Sequence, residues 1–149
     1  MKQDAELALV LEQMVRVVRR LATAGDLGFP AAAVLTRLVR EGPQRLTDLA
    51  VGEGLSQPGM TQLVSRLERQ TLVRRNPCVD DGRVVLVEVT PGGRELVGRR
   101  REERAQALSG LLAQLDPTER DAVQRAVPAL ARLTALALAP QRPTDGGPA

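Results

Sequence analysis

The sequence predicts a mainly α fold with a small β-hairpin wing: a winged helix-turn-helix flanked by N- and C-terminal dimerisation helices. Three observations carry this prediction. A capped helix with a polar outer face starts at Ser56, a short helix and turn precede it, and two β-type runs joined by Asp-Gly turn chemistry follow it.

From the N-terminus, Leu7, Val10, Leu11, Met14, Val17, Val18 and Leu21 recur at steps of three and four. They form an amphipathic helix whose stripe is wide enough to face a partner as well as its own core. It should end near Ala24-Gly25, so residues 1–24 form an N-terminal helix whose stripe calls for a partner. Asp26 to Pro30 is a loop. Pro30 sits in the first turn of a second helix, Ala31 to Arg40, buried through Val34, Leu35, Leu38 and Val39. Glu41-Gly42-Pro43 stops it. Leu46-Thr47-Asp48-Leu49-Ala50 with Leu55 then reads as a short helix and turn, in the order of a helix-turn-helix.

Ser56 is a good N-cap, because its hydroxyl can accept from a free backbone N–H, and Pro58 is tolerated in the first turn, where no N–H is needed. Leu55 and Met60 form a hydrophobic staple, while Met60, Leu63, Val64 and Leu67 mark the buried face. Leu72-Val73-Arg74-Arg75 is a first strand, and Val84 to Val89, rich in β-branched residues, a stronger second one. Asn76 to Arg83 supplies the hairpin turn through Asp81-Gly82. Residues 30–90 thus make the winged helix-turn-helix domain.

Pro91 opens a long helix whose first half, Arg94 to Arg104, is very polar and whose second half buries Ala107, Leu108, Leu111, Leu112 and Leu115. Asp116-Pro117-Thr118-Glu119 starts another, with a carboxylate cap, Pro at the first position and Glu at the third. That helix uses Val123, Val127, Leu130, Leu133 and Leu136, and Pro128 should kink it. Residues 91–139 therefore form C-terminal flanking helices whose apolar stripes call for a partner. The 140–149 segment, dominated by Pro, Gly and Asp, is expected to be a disordered tail.

Composition narrows the function. The net charge is +3 over 149 residues and Lys2 is the only lysine; with a pI of about 10.3, the arginines point to planar, bidentate contacts with anions. Aromatics make up 1% of the chain, Phe29 being the only one, so the stacking platform used for single strands and RNA loops is missing. Duplex DNA is favoured as partner. There is no histidine, and Cys78 is the single cysteine. That removes a disulfide framework and the commonest metal ligand and general base. No cofactor and no metal site are expected, and no enzyme: there is no Gly-rich phosphate loop, and the carboxylate pairs Asp80-Asp81 and Glu102-Glu103 are adjacent residues that cannot flank a substrate. No apolar run is long enough for a signal peptide or a membrane span, which places the chain in the cytoplasm without a membrane partner.

The helix that begins after Ser56 carries the chemistry. Its outer face holds Gln57, Gly59, Thr61, Gln62, Ser65, Arg66 and Arg69, with Pro58 at its start and no carboxylate among them. Such a set suits a major groove, since Gln fits adenine, Arg fits guanine and Ser or Thr fits either. Arg74 and Arg75 would face phosphates.

At this point the sequence resembles the multiple-antibiotic-resistance regulator (MarR) family. Arg45-Leu46-Thr47-Asp48-Leu49-Ala50, Leu55-Ser56-Gln57-Pro58, Leu67-Glu68-Arg69, Leu72-Val73-Arg74-Arg75, Asp80-Asp81-Gly82-Arg83 and Val89-Thr90-Pro91-Gly92-Gly93-Arg94 follow the family pattern in order and spacing. The resemblance implies a triangular homodimer on a pseudo-palindromic operator, acting in transcription regulation as a repressor released by a small-molecule effector. Two recognition helices would then reach successive major grooves about 34 Å apart. It places Arg45 among the DNA contacts and Arg83 at the wing tip, inserted in the minor groove, with Asp81 orienting its guanidinium. The chain departs from the family where Thr71 replaces the glycine that usually follows the recognition helix, so that helix end must be built differently or be strained. It also departs in the effector cleft, which would be aliphatic here, with Arg16 or Arg19 as anchor. The family's peroxide sensors use a first-helix cysteine with tyrosine partners, which this chain lacks. The competing reading is a winged-helix protein-interaction module without salt-sensitive DNA binding.

Overall fold

The computed structural model describes residues 1–21, 27–77 and 84–139. The elements run α1 (Lys2–Arg20), α2 (Phe29–Glu41), β1 (Gln44–Arg45), α3 (Leu46–Gly52), α4 (Gln57–Arg69), β2 (Val73–Pro77), β3 (Val85–Val89), α5 (Pro91–Leu112) and α6 (Pro117–Ala137). The chain divides into two compact units, Met1–Leu108 and Ser109–Ala149.

In the first unit α2, α3 and α4 pack with a small antiparallel sheet. Ala31, Val34, Leu35 and Leu38 of α2, Leu49 and Ala50 of α3, and Met60, Leu63, Val64 and Leu67 of α4 meet Val73, Val87, Val89 and Leu96 in one buried cluster. The spacing of these side chains is helical in α2 and α4 and alternate in β3, which is why each element offers one face to the core. Leu55, directly before the Ser56 cap, is partly buried against the same cluster.

The sheet has the order β1-β3-β2. β2 and β3 pair from Val73↔Val89 to Pro77↔Val85, and Gln44 and Arg45 pair with Val87 and Leu86 on the other side. The two-residue β1 is a strand the sequence did not announce. The first wing strand begins one residue later than expected and extends to Pro77, while the Asp-Gly turn lies outside the described residues.

Helices α3 and α4 end in the same way. Leu55 N–H donates to the Ala50 carbonyl (2.9 Å) and Gly54 N–H to that of Val51 (3.2 Å), as Leu72 N–H does to Leu67 (3.0 Å) and Thr71 N–H to Glu68 (2.9 Å). This double closure needs a left-handed residue at the pivot. Gly54 fills it at φ 63° in α3, and Thr71 at φ 58° in α4. The expected departure at Thr71 is thus strain, not a different closure: a Cβ in this region costs about 1–2 kcal/mol.

Arg37 holds the other side of the helix-turn-helix. Its Nε donates to Glu41 (2.9 Å) and Gln44 (3.0 Å), and its guanidinium faces Glu53 at 3.7 Å. It lies across Gly52, where a Cβ would overlap its terminal nitrogen.

In α1 no residue is buried, and Leu7, Val10, Met14 and Val18 of its stripe are exposed. The helix closes at Leu21, earlier than the expected Ala24-Gly25, which lies among the residues not described. The second unit holds the end of α5 and α6. Asp116 accepts from Thr118 N–H (2.8 Å) and Glu119 N–H (2.9 Å), and Glu119 accepts from Asp116 N–H (3.1 Å), so the expected capping box is complete. Arg120 donates to the carbonyls of Leu112 (3.1 Å) and Ala113 (3.3 Å) at the end of α5. Pro128 lies inside α6, which continues to Ala137. The stripes expected to be buried here are open in the single chain: Leu111, Val127, Leu130, Leu133 and Leu136 are all exposed, and α6 buries nothing.

Candidate nucleic-acid interface

The site is built on α4. Ser56 Oγ accepts from Gly59 N–H (3.2 Å), the cap expected from the sequence, and Pro58 occupies the first turn. With Met60, Leu63, Val64 and Leu67 held in the core, the helix must turn Gln57, Pro58, Thr61, Gln62, Arg66 and Arg69 outward, and all six are exposed. Gly59, Thr61, Gln62, Ser65, Arg66 and Arg69 line a shallow concavity along this face.

The side chains are not equally available. Thr61 Oγ1 donates to the Gln57 carbonyl (2.9 Å), so its hydroxyl proton is already used within the helix. Arg69 Nε leans back on the Ser65 carbonyl at 3.4 Å. Gln62 and Arg66 have no side-chain partner among the described residues, which leaves an amide and a guanidinium to meet an external acceptor or donor.

Wing residues are committed differently from what the sequence suggested. Arg75 pairs with Glu68 and donates to Ser65 Oγ (3.0 Å), so it ties β2 to α4 instead of facing outward, and it occupies the Ser65 hydroxyl as well. Glu68, the only acidic residue of α4, is neutralised in the same contact, which keeps the outer face free of negative charge. Arg74 stands opposite Glu88 in the hairpin and donates to it at 3.0 Å, and Asn76 joins at 2.7 Å. The Arg74 hydrogen bond is the largest of the effects that hold the Glu88 carboxyl below its ordinary value. Arg74 nevertheless remains largely exposed, as does Arg45 at the end of β1 beside the start of α3. Asp81, Arg83 and Cys78 lie outside the described residues.

The comparisons agree with this geometry. The model of the MarR family matches residues 30–85. An HTH-type transcriptional regulator of Mycobacterium tuberculosis is 33% identical over 122 residues, covering 82% of this chain and 85% of its own. One from Mycobacterium leprae is 31% identical over the same shares. The chain belongs to the MarR family. It is a DNA-binding transcriptional regulator and not an enzyme.

Solved structures extend the likeness beyond the winged lobe. A MarR family protein from Bacillus stearothermophilus superposes with a TM-score of 0.73 at 25% identity, over 90% of this chain and 96% of that one. A Mycobacterium tuberculosis protein gives 0.77 at 26%, over 89% and 91%. The Staphylococcus aureus MepR F27L mutant, solved bound to an oligodeoxyribonucleotide, shares the fold with a TM-score of 0.65 at 19% identity, over 90% and 97%.

A second concavity lies away from α4. Met14, Val17, Val18 and Leu21 of α1 and Arg104, Ala105 and Leu108 of α5 line an aliphatic cleft of about 200 Å³. Arg104 Nε is buried there with no hydrogen-bond partner. Arg16 and Arg19, the anchors expected from the sequence, are not in the cleft lining, and Arg19 stacks on Phe29 at 5.0 Å. Arg104 was missed because it sits in a run of arginines that reads as a solvated helix face. Among the described residues no cluster of potential metal ligands occurs, and no helix is long and apolar enough to cross a membrane.

Proposed function

We propose that this MarR protein is a homodimeric repressor that reads a pseudo-palindromic operator with α4 and is released by a small apolar acid. The observation that carries the reading is the outer face of α4, where Gln62 and Arg66 are exposed and unpartnered among the described residues, with Thr61 and Arg69 beside them and no acidic group. Gln and Arg are the residues that make bidentate contacts with adenine and guanine. Arg45, Arg69 and Arg74 approach phosphates, Gln57 and Thr61 support the base contacts, and Arg83 of the wing, oriented by Asp81, reaches the minor groove.

Residues 30–90 read the DNA, and 1–24 with 91–139 pair the protomers through the exposed stripes of α1, α5 and α6. A ligand acts only through different affinities for two dimer arrangements. The aliphatic cleft with the buried Arg104 nitrogen supports a carboxylate bearing an aliphatic body as that ligand, and the protein works in the cytoplasm.

Fluorescence anisotropy against the DNA upstream of the protein's own gene, with a random duplex of equal length at two salt concentrations, tests this. Salt-sensitive binding with at least about a hundredfold preference for the upstream DNA is expected, log K falling with log salt by about 0.9 per phosphate neutralised. Gln62→Ala and Arg66→Ala should lower the preference about tenfold or more each; an equal loss on both duplexes would make them backbone contacts. Binding without preference or salt dependence would favour a protein partner for this face.

A further inference from the structure

The end of α4 is fastened to the start of α5 by one side chain. Thr90 N–H donates to the Leu72 carbonyl (3.0 Å), and Thr90 Oγ1 donates to the Thr71 carbonyl (2.6 Å) while accepting from Gly93 N–H (3.1 Å). The carbonyls of Thr71 and Leu72, in the turn that closes the recognition helix, are therefore both received by Thr90 at the start of α5. Gly93 makes the approach close enough: a Cβ there would stand 2.2 Å from the Leu72 oxygen and 2.7 Å from Val89.

Only one of these bonds is what any helix start would need. Accepting from Gly93 N–H is an ordinary N-cap, which Ser, Asp or Asn could supply. Donating to Thr71 is additional, and its acceptor is the residue held at φ 58°. A left-handed threonine persists only where its surroundings over-determine it.

We infer that Thr90 is a positioning residue for DNA reading, a latch whose hydroxyl proton fixes the turn that closes α4 on the start of α5. Arg66 lies five residues before Thr71 and Gln62 nine, on the helix that this turn closes, so their aim follows the seating of that turn. A loosened latch leaves both side chains in place and lets the helix carrying them tilt. The inference rests on the DNA reading given above for Gln62 and Arg66, and it adds a residue that touches no base.

Three variants separate latch from cap. Thr90→Ser keeps both bonds, Thr90→Asp keeps the cap and cannot donate, and Thr90→Val loses both. Two readouts are taken on each full-length variant: the ratio of upstream to random duplex affinity, in which an added charge largely cancels, and amide exchange along residues 67–93. Thr90→Ser should match wild type in both. In Thr90→Asp the Gly93 amide should stay protected while the Thr71 and Leu72 amides exchange about tenfold faster, and the affinity ratio should drop about tenfold. Thr90→Val should add loss of protection at Gly93. Unchanged exchange at Thr71 and Leu72 in Thr90→Asp overturns the latch, whatever the DNA result. Faster exchange with an unchanged ratio overturns its role in positioning. A wild-type protein with no preference for the upstream duplex instead overturns the operator reading, and the exchange result alone then decides whether the latch exists.

Discussion

The winged lobe and the flanking helices are built from the same aliphatic residues and treat them oppositely. Among the described residues, every fully enclosed large side chain belongs to the segment from Val34 to Val87, whereas α1 and α6 bury nothing. Leu67 in α4 is 0% exposed and Leu133 in α6 is 47% exposed, although each lies on an unbroken apolar stripe. A stripe at helical spacing says that a face must be covered; it does not say by which molecule. The lobe closes on itself, and the outer helices leave their apolar faces open.

Substitutions can break that contrast. The largest effect should come from truncating paired leucines. Leu67→Ala should cost about 2–5 kcal/mol, a lost side chain plus the cavity it leaves, and the shift in melting temperature should not depend on protein concentration. Leu133→Ala on an uncovered face would cost within about 0.5 kcal/mol. If a second copy covers it, the loss rivals that of Leu67 and grows on dilution, and Leu133→Asp sediments as a monomer.

Next comes Gly93→Ala, which drives a methyl into the Leu72 carbonyl. An expected loss of about 1–3 kcal/mol, independent of concentration, would place the junction with the lobe. Smaller and opposite in sign is Thr71→Gly, which removes the left-handed Cβ strain and should stabilise by about 1 kcal/mol in urea unfolding. Gly54→Ala at the twin closure of α3 should destabilise by a similar amount. Equal signs for the two would mean that the shared hydrogen-bond pattern does not report a shared strain.

The smallest effect concerns pH. Because the Arg74 hydrogen bond lowers the folded-state value of Glu88, its contribution is complete above the ordinary 4.5 and is lost as pH falls through the folded value. Glu88→Gln should therefore lose less stability than wild type between neutral pH and strongly acid solution, seen in thermal melts. An identical acid profile would show that the exposed pair contributes nothing.

What was legible in the sequence were features fixed by neighbours along the chain. The Ser56 cap with Pro58, the core period from Met60 to Leu67 and the Asp116–Glu119 capping box each depend on residues within four positions. Contacts between distant residues left no such signal. Gln44–Arg45 is too short to show alternation, so β1 was invisible. Glu68 and Arg75 look like two surface charges until the hairpin folds back on α4, so the sequence alone turns Arg75 and Ser65 toward DNA. The seating of Arg104 in an aliphatic cleft depends on α1 and α5 meeting. The Thr71 strain was anticipated as one of two outcomes, because the family resemblance marked the position and only the backbone could choose.

The small sheet has one more consequence, for how far self-association can go. Its central strand, β3, is paired on both sides. One outer strand is two residues long and passes straight into α3; the other ends at Pro77, which has no N–H to offer, and carries Arg74 and Arg75. Neither rim can template another strand, because short, proline-ended and charged edges resist pairing. Among the described residues, then, the sheet offers no surface for pairing copies of this chain, and the proposed two-fold contact through helical faces would close at two instead of growing into a fibre.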